Sequence, residues 1–291
     1  MNEVHAFNVL PRALNELQLR CRINDVGVHR DIPGHQDIRI SHLSSQCKAL
    51  IIVFNTSQAA KSSLKTTAHK DAMRDTVVRW EGRMGSRVQT VTIDTEKDYW
   101  GRENCTDALC LSRPDLVREI HRGYFEAGAD MVETNTFGAS AVTLGEFDLS
   151  EHAFEINKVA GELAREAAES FSDGRHRWVV GSIGPGTKLP SLGNIAYDPL
   201  EAALAEQCRG LIAGGVDAIL IETCQDTLQI KAAVNGAKIA RLAAPTDTPI
   251  FLQVTVETTG TLLVCPDIAA AAPVINDLAV PLTRLDFAPG P

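Results

Sequence analysis

From residue 77 onward, short apolar runs alternate with longer stretches in which apolar residues recur at helical spacing. The short runs are apolar almost throughout, which is typical of strands that are covered on both faces. They read TVVRW, DMVETNTF, WVVGSIG, AILIETC, IFLQVTVE and VPLTRLDF. Regular alternation of strand and helix predicts right-handed βαβ units and a parallel sheet.

Four of the intervening stretches have the periodicity of amphipathic helices. In the first, we predict Ser112 as the N-cap, Pro114 in the first turn and Gly128 at the end. His121 lies within this pattern and is interpreted as a surface or helix-packing histidine. The other three helical stretches cover 151–171, 198–215 and 225–244.

Two architectures fit this alternation: a doubly wound sheet and a (β/α)₈ barrel. The segment EGRMGS after the first strand lacks the third glycine of the dinucleotide-binding motif, which weakens the doubly wound alternative. Several strands end in polar residues, as expected of a barrel, where that end carries the chemistry. These residues are Glu133, Thr134, Asn135, Ser182, Glu222, Thr223 and Glu257.

We therefore predict an α/β fold of the (β/α)₈ TIM-barrel type. Residues 77–291 supply six strands, whereas a whole barrel has eight strands and about 250 residues. The expectation is an incomplete barrel with about six of the eight βα units, truncated at its C-terminus.

Residues 1–76 differ in composition from the rest of the chain. They hold 10 Lys+Arg and 7 Asp+Glu, a balance of +3, so the formal charge of −9 leaves −12 for the remainder. Within them, RALNELQLRCRI fits a short helix and ALIIVFNTS a short strand, and a Ser- and Thr-rich stretch follows. We predict two parts: an unassigned, poorly ordered extension over 1–76 and a partial barrel over 77–291.

Composition narrows the class of protein. The acidic main body disfavours nucleic-acid binding, and no apolar run reaches the roughly 18 to 20 residues that span a bilayer. The first 20 residues lack the pattern of a signal peptide, so we expect a cytoplasmic protein. The seven cysteines show no disulfide framework or metal-binding spacing.

The strand ends supply the candidate chemistry. Glu133, Thr134 and Asn135 offer a carboxylate, a hydroxyl and an amide to a small amino acid; the alternative is a network that satisfies backbone groups at the strand end. Glu222 is placed to pair with a ligand ammonium. Cys224 has no evident base beside it and is interpreted as an inert buried thiol.

A long loop rich in Gly, Pro and Ser follows the third strand, in the sequence VVGSIGPGTKLPSLGN. It begins near Ser182, and its glycines permit backbone amides to face an anion. It does not end in the G-K-[ST] of a P-loop. We predict that it lines a site for a small zwitterion, while no nucleophile, base pair or metal set is visible.

Four segments carry a family resemblance: ENCTDALCLSRPDLVREIHRGYFEAGADMVETNTFGAS, VVGSIGPGTKLPSLGN, GGVDAILIETCQDTLQIKAA and VTVETTGTLL. From about residue 79 onward, the chain resembles the homocysteine-binding domain of cobalamin-dependent methionine synthases, within the zinc-dependent homocysteine S-methyltransferases. The resemblance implies a (β/α)₈ barrel and methyl transfer to the homocysteine thiol. It also implies a zinc ion on three cysteine thiolates, and methylcobalamin as donor, with cobalamin- and folate-binding domains as partners.

The resemblance assigns site residues only where the family motif matches. The family's D-G-x-M-G-T motif corresponds to EGRMGS, so Glu81, Met84 and Gly85 are implied in substrate binding. Glu81 replaces an aspartate and is one methylene longer. With Glu222, it is the candidate to hold the homocysteine ammonium.

The zinc ligands depart from the family pattern. In the family, a segment like L-N-C-A-T-G-P carries the first zinc cysteine, and this chain reads LDFAPGP, so Phe287 occupies that position. The other two ligands belong to a G-G-C-C motif beyond residue 291. We therefore predict no metal ligands and no catalytic residues in this chain.

Three hypotheses follow. The chain is a homocysteine S-methyltransferase domain, inactive as a fragment because its zinc ligands are absent. Alternatively, it is a non-catalytic degenerate fragment, or an amino-acid-binding module that keeps the pocket without the metal.

Overall fold

The computed structural model describes residues 38–41, 50–54, 80–81, 84–244, 246–257, 259–264, 267–280 and 282–287. Of residues 1–76, only two strands fall within them, so the division of the chain at residue 76 stays a prediction.

The strands form one eight-stranded sheet in the order β1-β2-β8-β7-β6-β5-β4-β3. Strands β3 to β8 are parallel to one another, which confirms the predicted parallel sheet and its six strands. The strands are β1 (Ile38–Ser41), β2 (Leu50–Phe54), β3 (Trp80–Glu81), β4 (Met131–Glu133), β5 (Trp178–Ile183), β6 (Ala218–Cys224), β7 (Ile250–Val256) and β8 (Leu282–Phe287).

Strands β1 and β2 extend the sheet beyond β8. Strand β2 pairs antiparallel with β8, and β1 pairs antiparallel with β2. The short strand predicted in ALIIVFNTS is therefore confirmed as β2. The helix predicted in RALNELQLRCRI lies outside the described residues.

Helices connect the parallel strands, as the periodicity predicts. The long helices within the described chain end within a few residues of their predicted bounds. The α-helices are α1 (Met84–Val88), α2 (Thr95–Asp98), α3 (Leu109–Ser112), α4 (Pro114–Glu126), α5 (Ala141–Leu144), α6 (Ala153–Glu169), α7 (Tyr197–Ala213), α8 (Thr227–Ala243) and α9 (Ile268–Asp277).

The predicted N-cap of α4 is wrong. Ser112 is the last residue of α3, and Arg113 takes the cap position without a side-chain cap bond. The Ser112 hydroxyl donates to the carbonyls of Asp98 and Ala108. A serine whose own backbone is already helical directs its hydroxyl to the preceding turn, so it cannot cap the helix that follows.

The two faces of the parallel strands pack differently. One face contacts the helices through residues such as Val132, Val179 and Ile221, which belong to a large hydrophobic cluster with α6, α7 and α8. The other face, called the inner face here, forms a smaller cluster of Met131, Val180, Ala218, Leu220 and Phe251. Because side chains alternate along a strand, this division fixes which later residues share the inner face.

No helix in the described part of the chain is long and apolar enough to cross a membrane.

Candidate functional site

Polar residues continue the inner face toward the carboxyl ends of β4 to β7. Glu133 lies two residues beyond Met131, Ser182 two beyond Val180, and Glu222 two beyond Leu220. Since side chains two apart in a strand point to the same face, these polar groups lie above the apolar cluster. On β7, Gln253 and Thr255 follow Phe251 in the same way. The inner face thus changes from apolar to polar at the end that carries chemistry in a barrel.

Ser182 and Glu222 are directly bonded across two neighbouring strands. The Ser182 hydroxyl donates to Glu222 Oε1 over 2.6 Å, which is within the normal range of an O–H···O hydrogen bond. Ser182 is only 2% exposed. The bond fixes the orientation of the Glu222 carboxylate at the carboxyl ends of β5 and β6. It brings together two of the site residues that the sequence predicts.

Thr134 and Thr136 hold Ser182 in position from the neighbouring strand end. The Ser182 backbone amide donates to Thr134 Oγ1 at 3.0 Å, and Thr136 Oγ1 donates to the Ser182 carbonyl at 2.7 Å. The two threonine hydroxyls are 2.6 Å apart. Thr134 and Thr136 therefore satisfy the backbone groups of Ser182 in β5, in the manner of the strand-end network that the sequence left as an alternative.

Asn135 belongs to the same network. Its side-chain amide donates to the carbonyl of Thr106 at 2.7 Å and contacts Cys110 Sγ at 3.6 Å. These partners lie in the segment before α4, so Asn135 joins that segment to β4. Gln207 on α7 adds a bond of 2.8 Å to the Thr136 carbonyl. The loop after β4 is thereby fixed on both sides.

A β-bulge in β6 shapes the strand end that carries Glu222. Ile221 pairs with Leu252 and Cys224 with Val254, so two residues of β6 stand against Gln253 alone. Thr223, inside the bulge, has a φ of 59°, a left-handed conformation that is uncommon for a β-branched residue. Such irregularities are frequent beside functional sites because they redirect a side chain.

Asp226 anchors the long loop that follows β5. Its carboxylate caps α8 by accepting from Leu228 N at 2.9 Å, and it also accepts from the amide and hydroxyl of Ser191 at 2.9 and 2.6 Å. On the same loop, the Gly184 amide donates to the Phe137 carbonyl at 3.0 Å. The Ser191 amide, on the loop for which the sequence predicts exposed amides facing an anion, is thus bound to a carboxylate of the chain itself.

Asp107 is a buried acid behind the loop after β4. It accepts a hydrogen bond of 3.1 Å from the Gly138 amide. Burial raises the pKa of the Asp107 carboxyl to about 6. Nothing in the sequence singles out Asp107, because it lies in a turn-rich connection with no periodic pattern.

The described side chains do not fit the zinc ion that the family resemblance implies. Within the described ranges, no three His, Cys, Asp or Glu residues are close enough to hold a metal. The four described cysteines, Cys105, Cys110, Cys208 and Cys224, are free and buried. Burial raises the pKa of the Cys105 thiol to about 11 and that of Cys208 to about 12, and it also raises the pKa of Cys224. Protonated thiols are poor metal ligands.

The remaining predicted residues lie at both edges of the parallel strands. Glu81 ends β3 and pairs with Val132, and Phe287 ends β8 and pairs with Val256; their side chains fall outside the described part. Met84 is buried and Gly85 exposed in α1. Their assignment to substrate binding stays a prediction.

Comparisons with known proteins show a family relationship. The family model for homocysteine S-methyltransferases matches residues 80–282. Methionine synthase of Mycobacterium tuberculosis (strain ATCC 25618 / H37Rv) is 43% identical over 234 residues, which is 80% of this chain and 20% of that protein. Methionine synthase of Mycobacterium leprae (strain TN) is 42% identical over 222 residues, or 76% of this chain and 18% of that protein. The chain spans about a fifth of the length of these curated relatives.

Solved structures share the fold. The metallated form of the homocysteine methyltransferase MmuM from Escherichia coli superposes with a TM-score of 0.58 at 18% identity, covering 72% of this chain and 75% of that one. Its oxidized form gives a TM-score of 0.55, also at 18% identity, with 68% and 69% covered. At this identity the likeness concerns architecture, and it agrees with the predicted barrel-type fold.

Proposed function

Because the chain belongs to the homocysteine S-methyltransferase family, we propose that it binds homocysteine at the carboxyl ends of β4 to β7 for methylation at sulfur. The observation that carries this proposal is the 2.6 Å bond from Ser182 to Glu222. It holds a carboxylate at the end of two parallel strands, where a barrel binds its substrate. A carboxylate fixed in this way is suited to the ammonium of an amino acid.

The substrate also has a carboxylate and a thiol. We propose that the α-amino-acid head group lies over the polar inner face and that the sulfur extends toward the carboxyl ends of β3 and β8. Glu81, Met84 and Gly85 would then border the ligand from the β3 side. In the reaction, sulfur forms a bond to a methyl group, the donor releases that group, and the thiol loses its proton. That proton passes to the solvent.

The methyl donor and the protein's surroundings are inferred from the relatives. The curated relatives are methionine synthases of which this chain matches a fifth, so we propose that a corrinoid donor such as methylcobalamin is held by protein outside this chain, along with folate-binding parts. The four described cysteines are free thiols, which suits the reducing cytoplasm that the sequence predicts.

A second candidate function is amino-acid binding without catalysis. It is favoured by one observation: the side chains of the described part bring together no set of metal donors. In that case the pocket would recognise homocysteine or methionine and perform no transfer.

Isothermal titration of the full chain with homocysteine, together with a methyl-transfer assay using methylcobalamin, separates the candidates. Binding with production of methionine supports the methyltransferase. Binding without turnover, with or without added zinc, supports the binding module. If homocysteine does not bind at millimolar concentration, both proposals are overturned.

A further inference from the structure

Strand β7 carries two buried polar side chains on its inner face. Every residue of Ile250–Val256 is buried. Gln253 and Thr255 are each 4% exposed. Gln253 Oε1 and Thr255 Oγ1 have no hydrogen-bond partner among the described residues.

Such atoms are costly in a protein interior. A buried oxygen without a partner costs about 1–3 kcal/mol, and native proteins contain few of them. On the helix-packed face of the same strand, Leu252, Val254 and Val256 are all apolar, as expected of positions with a purely structural role. Two successive polar positions on the other face therefore call for a polar partner.

Their location indicates what that partner is. Gln253 and Thr255 follow Phe251 along the inner face, on the same side of the sheet as Glu222. The bulge in β6 stands opposite Gln253 and brings the strand end that bears Glu222 against it. Ser182, Glu222 and Gln253 thus lie on the same face of three neighbouring strands.

We infer that Gln253 and Thr255 are specificity-determining residues that read the head group of an α-amino acid, an inference that rests on the proposed function of this site. An ammonium has three N–H donors, and Glu222 is placed to accept from one of them. Gln253 Oε1 accepts from a second. The Thr255 hydroxyl, two residues further along the strand, donates to the carboxylate of the same ligand.

The separate roles of Gln253 and Thr255 are testable with three thiols that differ only in the head group. Homocysteine carries both charged groups, 4-mercaptobutanoate lacks the ammonium, and 3-aminopropane-1-thiol lacks the carboxylate. Gln253→Leu should weaken binding of homocysteine and of the aminothiol by roughly ten- to a hundredfold, and leave the mercaptobutanoate unchanged. Thr255→Val should weaken homocysteine and the mercaptobutanoate by roughly three- to tenfold and leave the aminothiol unchanged.

The matched control is Thr248→Val, which removes a buried hydroxyl just before the amino end of the same strand, where Thr248 bonds Thr246 at 2.8 Å. It should change no affinity. All affinities are measured by isothermal titration of the full chain under reducing conditions. A purely structural role of Gln253 or Thr255 would lower the affinity for all three thiols together, so the pattern of selectivity separates the two roles.

The outcomes also separate this inference from the proposed function. If the unaltered chain binds homocysteine and both variants keep its preference among the three thiols, the inference is overturned and the proposed function stands. If the unaltered chain binds no homocysteine, both are overturned.

Discussion

The hydroxyl of Ser182 lies 2.6 Å from the carboxylate of Glu222, although the two residues are 40 positions apart in the chain. They meet because β5 and β6 are adjacent and parallel, so both strands end at the same edge of the sheet. The serine is itself held by two threonines from the end of β4. A carboxylate oriented through this relay is prepared for a ligand before the ligand arrives.

Replacing Glu222 tests this arrangement. Glu222→Gln keeps the size of the side chain and an oxygen for the Ser182 hydroxyl, but it removes the charge that pairs with an ammonium. We expect homocysteine to bind roughly 10 to 100 times more weakly, as is typical when a hydrogen bond to a charged group is lost. Isothermal titration measures the change. Glu169→Gln, at the exposed end of α6, is the control, and a loss below about twofold in Glu222→Gln, within titration error, would contradict the assignment.

Sequence periodicity predicts much of this architecture. The six parallel strands follow from apolar runs, and Ser182 and Glu222 follow from being polar residues at strand ends. The order of strands and helices along the chain suffices for such predictions, because the carboxyl ends of parallel strands must lie at one edge of the sheet. The N-cap of α4 was mispredicted because Ser112 also fits the end of the preceding short helix.

Other parts of the site depend on register, which the sequence does not reveal. The bulge opposite Gln253 and the bonds from Thr134 and Thr136 to Ser182 exist only once particular residues pair. Asp226 was also missed as a clamp, since its partner Ser191 is 35 residues earlier in a loop. Alternation along IFLQVTVE does contain one usable signal: polar residues at 253 and 255 break an otherwise apolar strand.

Asp226 is expected to stabilise both a helix and the loop beside the site. Asp226→Ala removes the cap of α8 and both bonds to Ser191. We expect the free energy of unfolding to fall by about 2–4 kcal/mol, the sum of a lost cap and lost bonds to a charged group. Ser191→Ala removes only the hydroxyl bond and should cost about 1 kcal/mol. Urea unfolding monitored by circular dichroism measures the loss in free energy of unfolding of each variant. Equal losses in the two variants would show that the cap contributes nothing.

Helices α6 and α7 approach closely through glycine. A Cβ on Gly210 would lie 2.6 Å from the Phe154 carbonyl and 2.7 Å from Asn157 Cβ, so the helices would have to separate. Gly210→Ala should therefore lower the free energy of unfolding by about 1–3 kcal/mol, despite the higher helix propensity of alanine. Gly85→Ala in α1 is the matched control, because nothing lies within 4 Å of its added Cβ. If the thermal midpoints of the two variants shift alike, the close contact is not limiting.

Asp107 should make the fold less stable as the pH rises. Its pKa is about 6 in the folded chain, against an ordinary value of 3.8, so between these values the folded state binds more protons than the unfolded state. Stability attributable to this group therefore falls as pH rises from about 4 to 6, by an amount on the order of 3 kcal/mol. Asp107→Asn keeps an acceptor for the Gly138 amide and removes the titration. Urea unfolding from pH 4 to 7 should show the variant gaining on the unaltered chain as pH rises; a difference that is constant with pH would refute this.

His121 should act in the opposite direction over nearly the same range. It is fully buried on α4, and neither ring nitrogen has a hydrogen-bond partner among the described residues. Burial lowers the pKa of His121 from 6.5 to about 4. Between these pH values the unfolded state binds a proton that the folded state does not bind. Stability is lost as pH falls from about 6.5 to 4.

His121→Leu removes this titration together with two unpartnered nitrogens. The variant should already be more stable at pH 7, by about 1–3 kcal/mol, and its advantage should grow as the pH falls toward 4. Because the Asp107 and His121 effects have opposite signs, the unaltered chain should show a flatter stability curve between pH 4 and 6 than either single variant. His152→Gln, which replaces a half-buried histidine near Glu155, controls for the loss of one histidine. An advantage of His121→Leu that shrinks on acidification would contradict the burial of a neutral imidazole at this position.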